Sequence, residues 1–99
     1  MNKTKVIFRK TLPEWGGETI AIFPALAGDS NPYRTCMSYE RVGQHGAITL
    51  DFMKFTLLTT PENYTSLKAE LESIGYDLQV AKRMTRKDLQ ARIEQTKTA

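Results

Sequence analysis

The chain has 99 residues, 40% of them hydrophobic and 25% charged, with 14 basic and 11 acidic side chains for a formal net charge of +3. That length allows one domain with a single modest core, and the composition argues against global disorder. No apolar run approaches a membrane span or a signal-peptide core, and the lone Cys36 excludes an intramolecular disulfide, which suits a reducing cytoplasm.

Residues 5–10, built around Val6-Ile7-Phe8, are predicted as a strand, and residues 19–23 as another. Pro13-Glu14-Trp15-Gly16-Gly17 between them is turn chemistry, so the pair is expected to form an antiparallel hairpin. Pro24 closes the second strand because proline cannot donate to a ladder. Gly28-Asp29-Ser30-Asn31-Pro32 then gives a surface loop of successive turn formers.

Residues 35–52 are predicted as a second hairpin turning at Gly43-Gln44-His45-Gly46. Pairing Val42 with Ala47 sets Tyr39 opposite Leu50 and Arg41 opposite Ile48, with Met37 beside Phe52 on the same face. Cys36, Ser38, Glu40, Thr49 and Asp51 fall on the other face, so one side is apolar and the other mostly polar, as a sheet with one covered face requires.

Thr59-Thr60-Pro61-Glu62 carries the signals of a helix start: a hydroxyl cap, proline in the first turn and a carboxylate at the positive end of the dipole. Tyr64, Leu67, Leu71 and Ile74 follow at helical spacing as the buried stripe, and Gly75 stands where a left-handed stop belongs. This helix, residues 61–74, is expected to cover the apolar face of the sheet. Tyr76-Asp77-Leu78-Gln79-Val80 alternates as a strand. Thr85-Arg86-Lys87-Asp88 has capping-box spacing with Asp88 in the usual Glu position, and Met84 and Leu89 fit a hydrophobic staple. A short basic helix to about Thr96 follows; its few apolar positions, chiefly Leu89 and Ile93, mean that it needs a docking surface.

Charge is segregated to the ends. From Lys82 onward six basic residues face two acidic ones, whereas the residues before Lys82 carry eight basic and nine acidic side chains. Lys3, Lys5, Arg9 and Lys10 flank the first strand. If the two ends lie together they make one positive patch suited to phosphate or an acidic partner. A solvated helix is the plainer explanation of the same charges, since neither interleaved stacking aromatics nor a helix-turn-helix pattern accompanies them.

Val6-Ile7-Phe8-Arg9-Lys10, Ile20-Ala21-Ile22-Phe23-Pro24, Cys36-Met37-Ser38-Tyr39, Val42-Gly43-Gln44-His45, Pro61-Glu62-Asn63-Tyr64 and the stretch 67–78 together resemble a family of short, uncharacterised bacterial proteins associated with phages, conjugative elements and other mobile DNA. The Ser-Tyr strand followed by Val-Gly-Gln-His is the most specific part. The likeness implies a genomic setting and brings no activity with it. Gly46-Ala47-Ile48 departs from the more polar residues expected there, and the basic segment after Arg83 lies outside the likeness.

His45, the only histidine, is placed to act as an acid–base group near neutral pH or simply to decorate a turn. A Cys36–His45 pair fails on distance. Cys36 lies six residues before Val42, roughly 20 Å from the turn at about 3.3 Å per strand residue, beyond reach of a base. One Cys and one His cannot close a zinc site, the Asp29 loop lacks the alternating acids of a calcium loop, and no phosphate loop or dinucleotide fingerprint is present. Neither a cofactor nor a metal is therefore expected. Trp15 fits either an exposed anchor for a partner or a cover for the open end of the core.

The expectation is thus a single α+β domain over residues 1–99, with an antiparallel or mixed sheet of four to five strands, one main helix on one face and a short basic C-terminal helix. The expected role is a non-enzymatic accessory or protein-binding module of a mobile element, directed at a host protein, with Trp15, Tyr39, Arg41, Gln44 and His45 as contact residues. The alternative is nucleic-acid binding through Lys82, Arg83, Arg86, Lys87 and Arg92, and the third reading is a small enzyme using His45. No membrane partner is expected, and the exposed sheet edges leave a homodimer open.

Overall fold

The computed structural model describes residues 3–40 and 44–97, and for Gln44 the backbone alone. The fold is α+β: a mixed, open sheet of six strands with three helices. Strands β1 (Thr4–Lys10) and β2 (Thr19–Phe23) form the expected antiparallel hairpin, with Phe8 opposite Ala21. A single 3-10 turn, Pro13–Trp15, joins them. β3 (Thr35–Glu40) pairs antiparallel with β2, and β4 (Gln44–Thr49) antiparallel with β3. A helical turn α1 (Leu50–Met53), a two-residue strand β5 (Leu57–Leu58), helix α2 (Pro61–Ser73), strand β6 (Leu78–Ala81) and helix α3 (Arg86–Thr96) complete the chain.

The sheet order is β4-β3-β2-β1, and the outer edge of β1 is divided between two strands. β6 runs parallel to its first half, from Thr4 opposite Leu78 to Ile7 opposite Ala81. β5 runs antiparallel to its end, with Arg9 opposite Leu58 and Lys10 opposite Leu57. The two strands meet by their C-terminal ends and part beside Phe8.

Both faces of the sheet are buried, which corrects the expectation of one polar face. Val6, Phe8, Ala21, Phe23 and Tyr39 pack under Leu67 and Leu71 of α2. Ile7, Ile20, Ile22 and Cys36 form a second cluster, closed by Ile48, Leu50, Phe52, Met53 and Met84. The reason stands in β1 and β2, whose apolar runs are continuous rather than alternating, the pattern of strands covered on both sides.

The register of the second hairpin also differs. Tyr39 stands opposite His45 and Cys36 opposite Ile48, so Ile48 shares the face of Cys36 and His45 that of Tyr39. His45 lies inside β4, not at a tip; Arg41, Val42 and Gly43, which carried the expected turn, lie outside the described residues. Leu50 and Phe52 leave the ladder because Thr49 starts α1, its hydroxyl accepting the Phe52 N–H at 3.2 Å.

Helix α2 has its proline and glutamate in the first turn and its stripe as far as Leu71, but the expected hydroxyl cap is not made: Thr60 Oγ1 instead accepts the Asn63 side-chain amide at 3.2 Å. Tyr64 stacks on Phe8 with ring centroids 4.3 Å apart. Gly75 terminates it at φ +114°, a conformation open to glycine. Ile74 departs from the expected stripe: it sits at the helix end and is 53% exposed. Helix α3 forms its capping box, Asp88 accepting the Thr85 N–H at 2.7 Å.

Candidate functional site

The expected contact residues fall into separate places. On the α2 side, His45 Nε2 lies 2.8 Å from the Tyr76 hydroxyl, and the Tyr39 ring meets the imidazole edge-on at 4.7 Å. Tyr39 donates its hydroxyl to Glu70, and Tyr76 stacks on Phe23 at 5.1 Å. Burial raises the Tyr76 pKa above that of an ordinary phenol, so Tyr76 meets His45 as a neutral hydroxyl near pH 7. This chain of bonds ties β4 to α2 and to the segment before β6.

Cys36 takes no part in it. It is fully buried in the opposite cluster, and burial, partly offset by Arg92, pushes its thiol up to about 11. A thiol so protonated is a poor nucleophile, and the sheet itself separates it from the imidazole. Of the other two contact residues, Arg41 and the Gln44 side chain lie outside what is described. Among the described residues, no group of three or more His, Cys, Asp or Glu could hold a metal ion, and no helix is long and apolar enough to cross a membrane.

Trp15 is 51% exposed and belongs to a different cluster. It stacks on Phe52 at 5.6 Å and meets the edge of Phe55 at 6.2 Å. Phe55, Leu57 and Leu58 are 50–55% exposed; Leu57 and Leu58, opposite Lys10 and Arg9, project to opposite sides of the β5 edge. Sequence reasoning passed over Phe55, Leu57 and Leu58. Their signal was an apolar run too short for a helix stripe, set just before the helix start at Thr60-Pro61. Beside the ledge lies an open groove floored by Leu50, Met53 and Met84 and rimmed by Lys54, Lys82 and Arg83. Arg9 also lines it, but its guanidinium is held by Thr56 Oγ1 at 2.7 Å and the Thr56 carbonyl at 2.5 Å.

The basic residues divide in the same way. Arg92 is 2% exposed, donating Nε–H to the Pro32 carbonyl at 2.9 Å and a second N–H to the Pro24 carbonyl. It is therefore withdrawn from the set that could touch a phosphate. Gln95 binds the same loop, accepting the Ala27 N–H at 2.8 Å and donating to the Ala25 carbonyl at 2.7 Å. Lys5 and Asp88 pair at 2.7 Å, with side chains 21% and 7% exposed, while Lys3 leans toward Asp77 at 3.7 Å. The ends do lie together, but much of their charge is used internally. Lys82, Arg83, Arg86 and Lys87 remain exposed and, among the described residues, without an ion-pair partner.

A second hollow of about 330 Å³ opens where β5 and β6 part, lined by Phe8, Leu58, Tyr64, Val80 and Lys82 together with the start of α2. His45 lines neither this hollow nor the basic groove. No family model matches the chain, and neither a curated protein nor a solved structure does.

Proposed function

We propose that the chain is a non-enzymatic protein-binding module that works through the β5 edge and the basic groove beside it. The observation that carries this reading is the exposure of Trp15, Phe55, Leu57 and Leu58, each half or more in water on a small protein. Exposed apolar groups gathered beside cations are the surface of a contact site, and Trp is favoured at the centre of such sites. Of the cations at the groove's rim, Lys82 and Arg83 have no ion-pair partner among the described residues, while Lys54 leans toward Asp51 at 3.8 Å. No acidic side chain is among the described lining residues, which suits a partner with acidic residues around an apolar anchor. The likeness to proteins of mobile DNA supplies the setting: an accessory protein acting in the cytoplasm on a host protein.

Affinity capture from the cells that carry the protein, repeated after nuclease digestion, tests it. The wild type is expected to retain a protein partner through digestion, and Leu57→Asp to lose it while keeping the wild-type circular dichroism. Equal recovery by the variant, or recovery of nucleic acid alone, contradicts the reading.

Nucleic-acid binding is the second reading, supported by the exposure of Lys82, Arg83, Arg86 and Lys87. It has the weaker support because Trp15 stacks on Phe52 and meets Phe55 edge-on, so the rings are engaged with one another rather than set out as a platform for bases. It expects a mobility shift that weakens steeply with salt and is lost in Arg86→Glu/Lys87→Glu. Catalysis by His45 has the least support: the hydroxyl it touches belongs to a tyrosine that also packs in the core.

A further inference from the structure

The hollow beside Phe8 is a product of topology. β5 and β6 reach the outer edge of β1 from opposite directions and end against each other. From there the chain diverges: after β5 it enters α2 on the face of Val6 and Phe8, and after β6 it passes through Met84 to α3 on the face of Ile7. Because the chain leaves β5 and β6 toward opposite faces, a concave, mostly apolar gap stays open between them, the form that small-molecule sites take. Here the crevice holds about 330 Å³, near the lower limit for small-molecule sites.

Its chemistry is two-sided. Phe8, Leu58, Tyr64, Val80 and Ala81 make apolar walls, and the exposed ammonium of Lys82 stands at the rim. No acidic side chain is among its described lining residues. The start of α2 opens on the same space, so the positive end of a 13-residue helix adds to the lysine charge. Thr59, also in the lining, carries the one side-chain nitrogen or oxygen among the described residues that is buried without a hydrogen-bond partner. A buried hydroxyl in that condition forfeits a hydrogen bond.

We propose that this hollow binds a small anionic amphiphile, an apolar body with a carboxylate head, the body lying between Tyr64 and Val80 and the carboxylate meeting Lys82. The hollow shares Leu58 and Lys82 with the protein-contact surface, but the octanoate–octanol preference tests the hollow by itself, since it is read without any protein partner. Titrating the full-length protein with sodium octanoate, octan-1-ol and octylamine, followed by two-dimensional amide and methyl NMR, tests it. Octanoate is expected to shift Leu58, Tyr64, Val80 and Ala81 and to bind about tenfold more tightly than octanol, as one charge-assisted contact implies. Lys82→Glu is expected to abolish that preference without moving signals of the distant core, and Val80→Phe to weaken both ligands by filling the space. Equal binding of octanoate and octanol, tighter binding of octylamine, or shifts confined to residues outside the hollow overturns the proposal. If Val80→Phe fails to fold, the octanoate–octanol ratio in the wild type and Lys82→Glu still decides the matter.

Discussion

The two faces of the sheet are closed by different physics. Helix α2 lies on its face through Leu67, Leu71 and Tyr64, packed on Phe8 and Phe23. Helix α3 buries only Asp88 and Arg92 and reaches its face through polar groups: Asp88 to Lys5, Arg92 to Pro24 and Pro32, Gln95 to Ala25 and Ala27. The first fastening is strong and non-directional, in proportion to apolar area. The second is directional and fixes one loop, residues 24–32, against one helix. A segment that looks like a basic tail thus works as a clasp, which leaves the β5 edge and the hollow beside it as surfaces free to meet something else.

Substitutions can break this contrast from either side. Leu71→Ala, at a position with no exposure, is expected to cost about 2–5 kcal/mol by removing buried hydrocarbon and leaving a cavity; urea unfolding checks it, with little dependence on salt. Arg92→Met keeps the bulk of the side chain but leaves two buried carbonyls without donors, at about 1–3 kcal/mol for each. Its effect is expected in exchange rates around residues 24–32 before global unfolding. Global unfolding of Arg92→Met with no earlier rise in exchange around residues 24–32 would show that the two faces do not differ as described.

Gly28→Ala probes the seat of the clasped loop. An added Cβ would lie 2.4 Å from the Cys36 carbonyl oxygen and 2.9 Å from the Ala47 Cβ, so backbone must shift, at about 1–3 kcal/mol. Thermal unfolding measures it, and an unchanged midpoint would mean that the loop does not press on β3. The smallest effect concerns Asp29, which accepts the Thr35 hydroxyl at 2.6 Å and the Asn31 N–H at 2.8 Å. These bonds hold its carboxyl below the usual range, Thr35 contributing most. A depressed folded-state pKa stabilises above the unfolded value and loses that contribution as pH falls through the folded one. Asp29→Asn is therefore expected to lower stability slightly at neutral pH and to flatten the decline under acid, as read from urea midpoints across pH.

Much of the architecture was legible because its signals are local. The first hairpin announces itself in two apolar runs around a proline-glycine turn, and both long helices carry their start signals at Thr60-Pro61 and Thr85-Asp88. The second hairpin was misread because Leu50 and Phe52 alternate with Thr49 and Asp51 just as a strand would, while the Thr49 hydroxyl instead starts a helical turn. The second buried face was written in Ile7, Ile20 and Ile22, overshadowed by that alternating hairpin. Arg92 could not be placed in advance: its partners lie 60 and 68 residues away, with no local pattern joining them. The hollow at Lys82 depends on strand order, which one sequence does not carry.

Hydrogen exchange on the intact protein, wild type beside Arg92→Met, tests the clasp most directly. The wild type is expected to protect the amides of α3 together with those of Leu26 and Ala27, and the variant to release both groups while β1 and β2 stay slow. Rapid exchange along α3 in the wild type, or no change in the variant, would contradict it and return the C-terminal charges to a solvated tail.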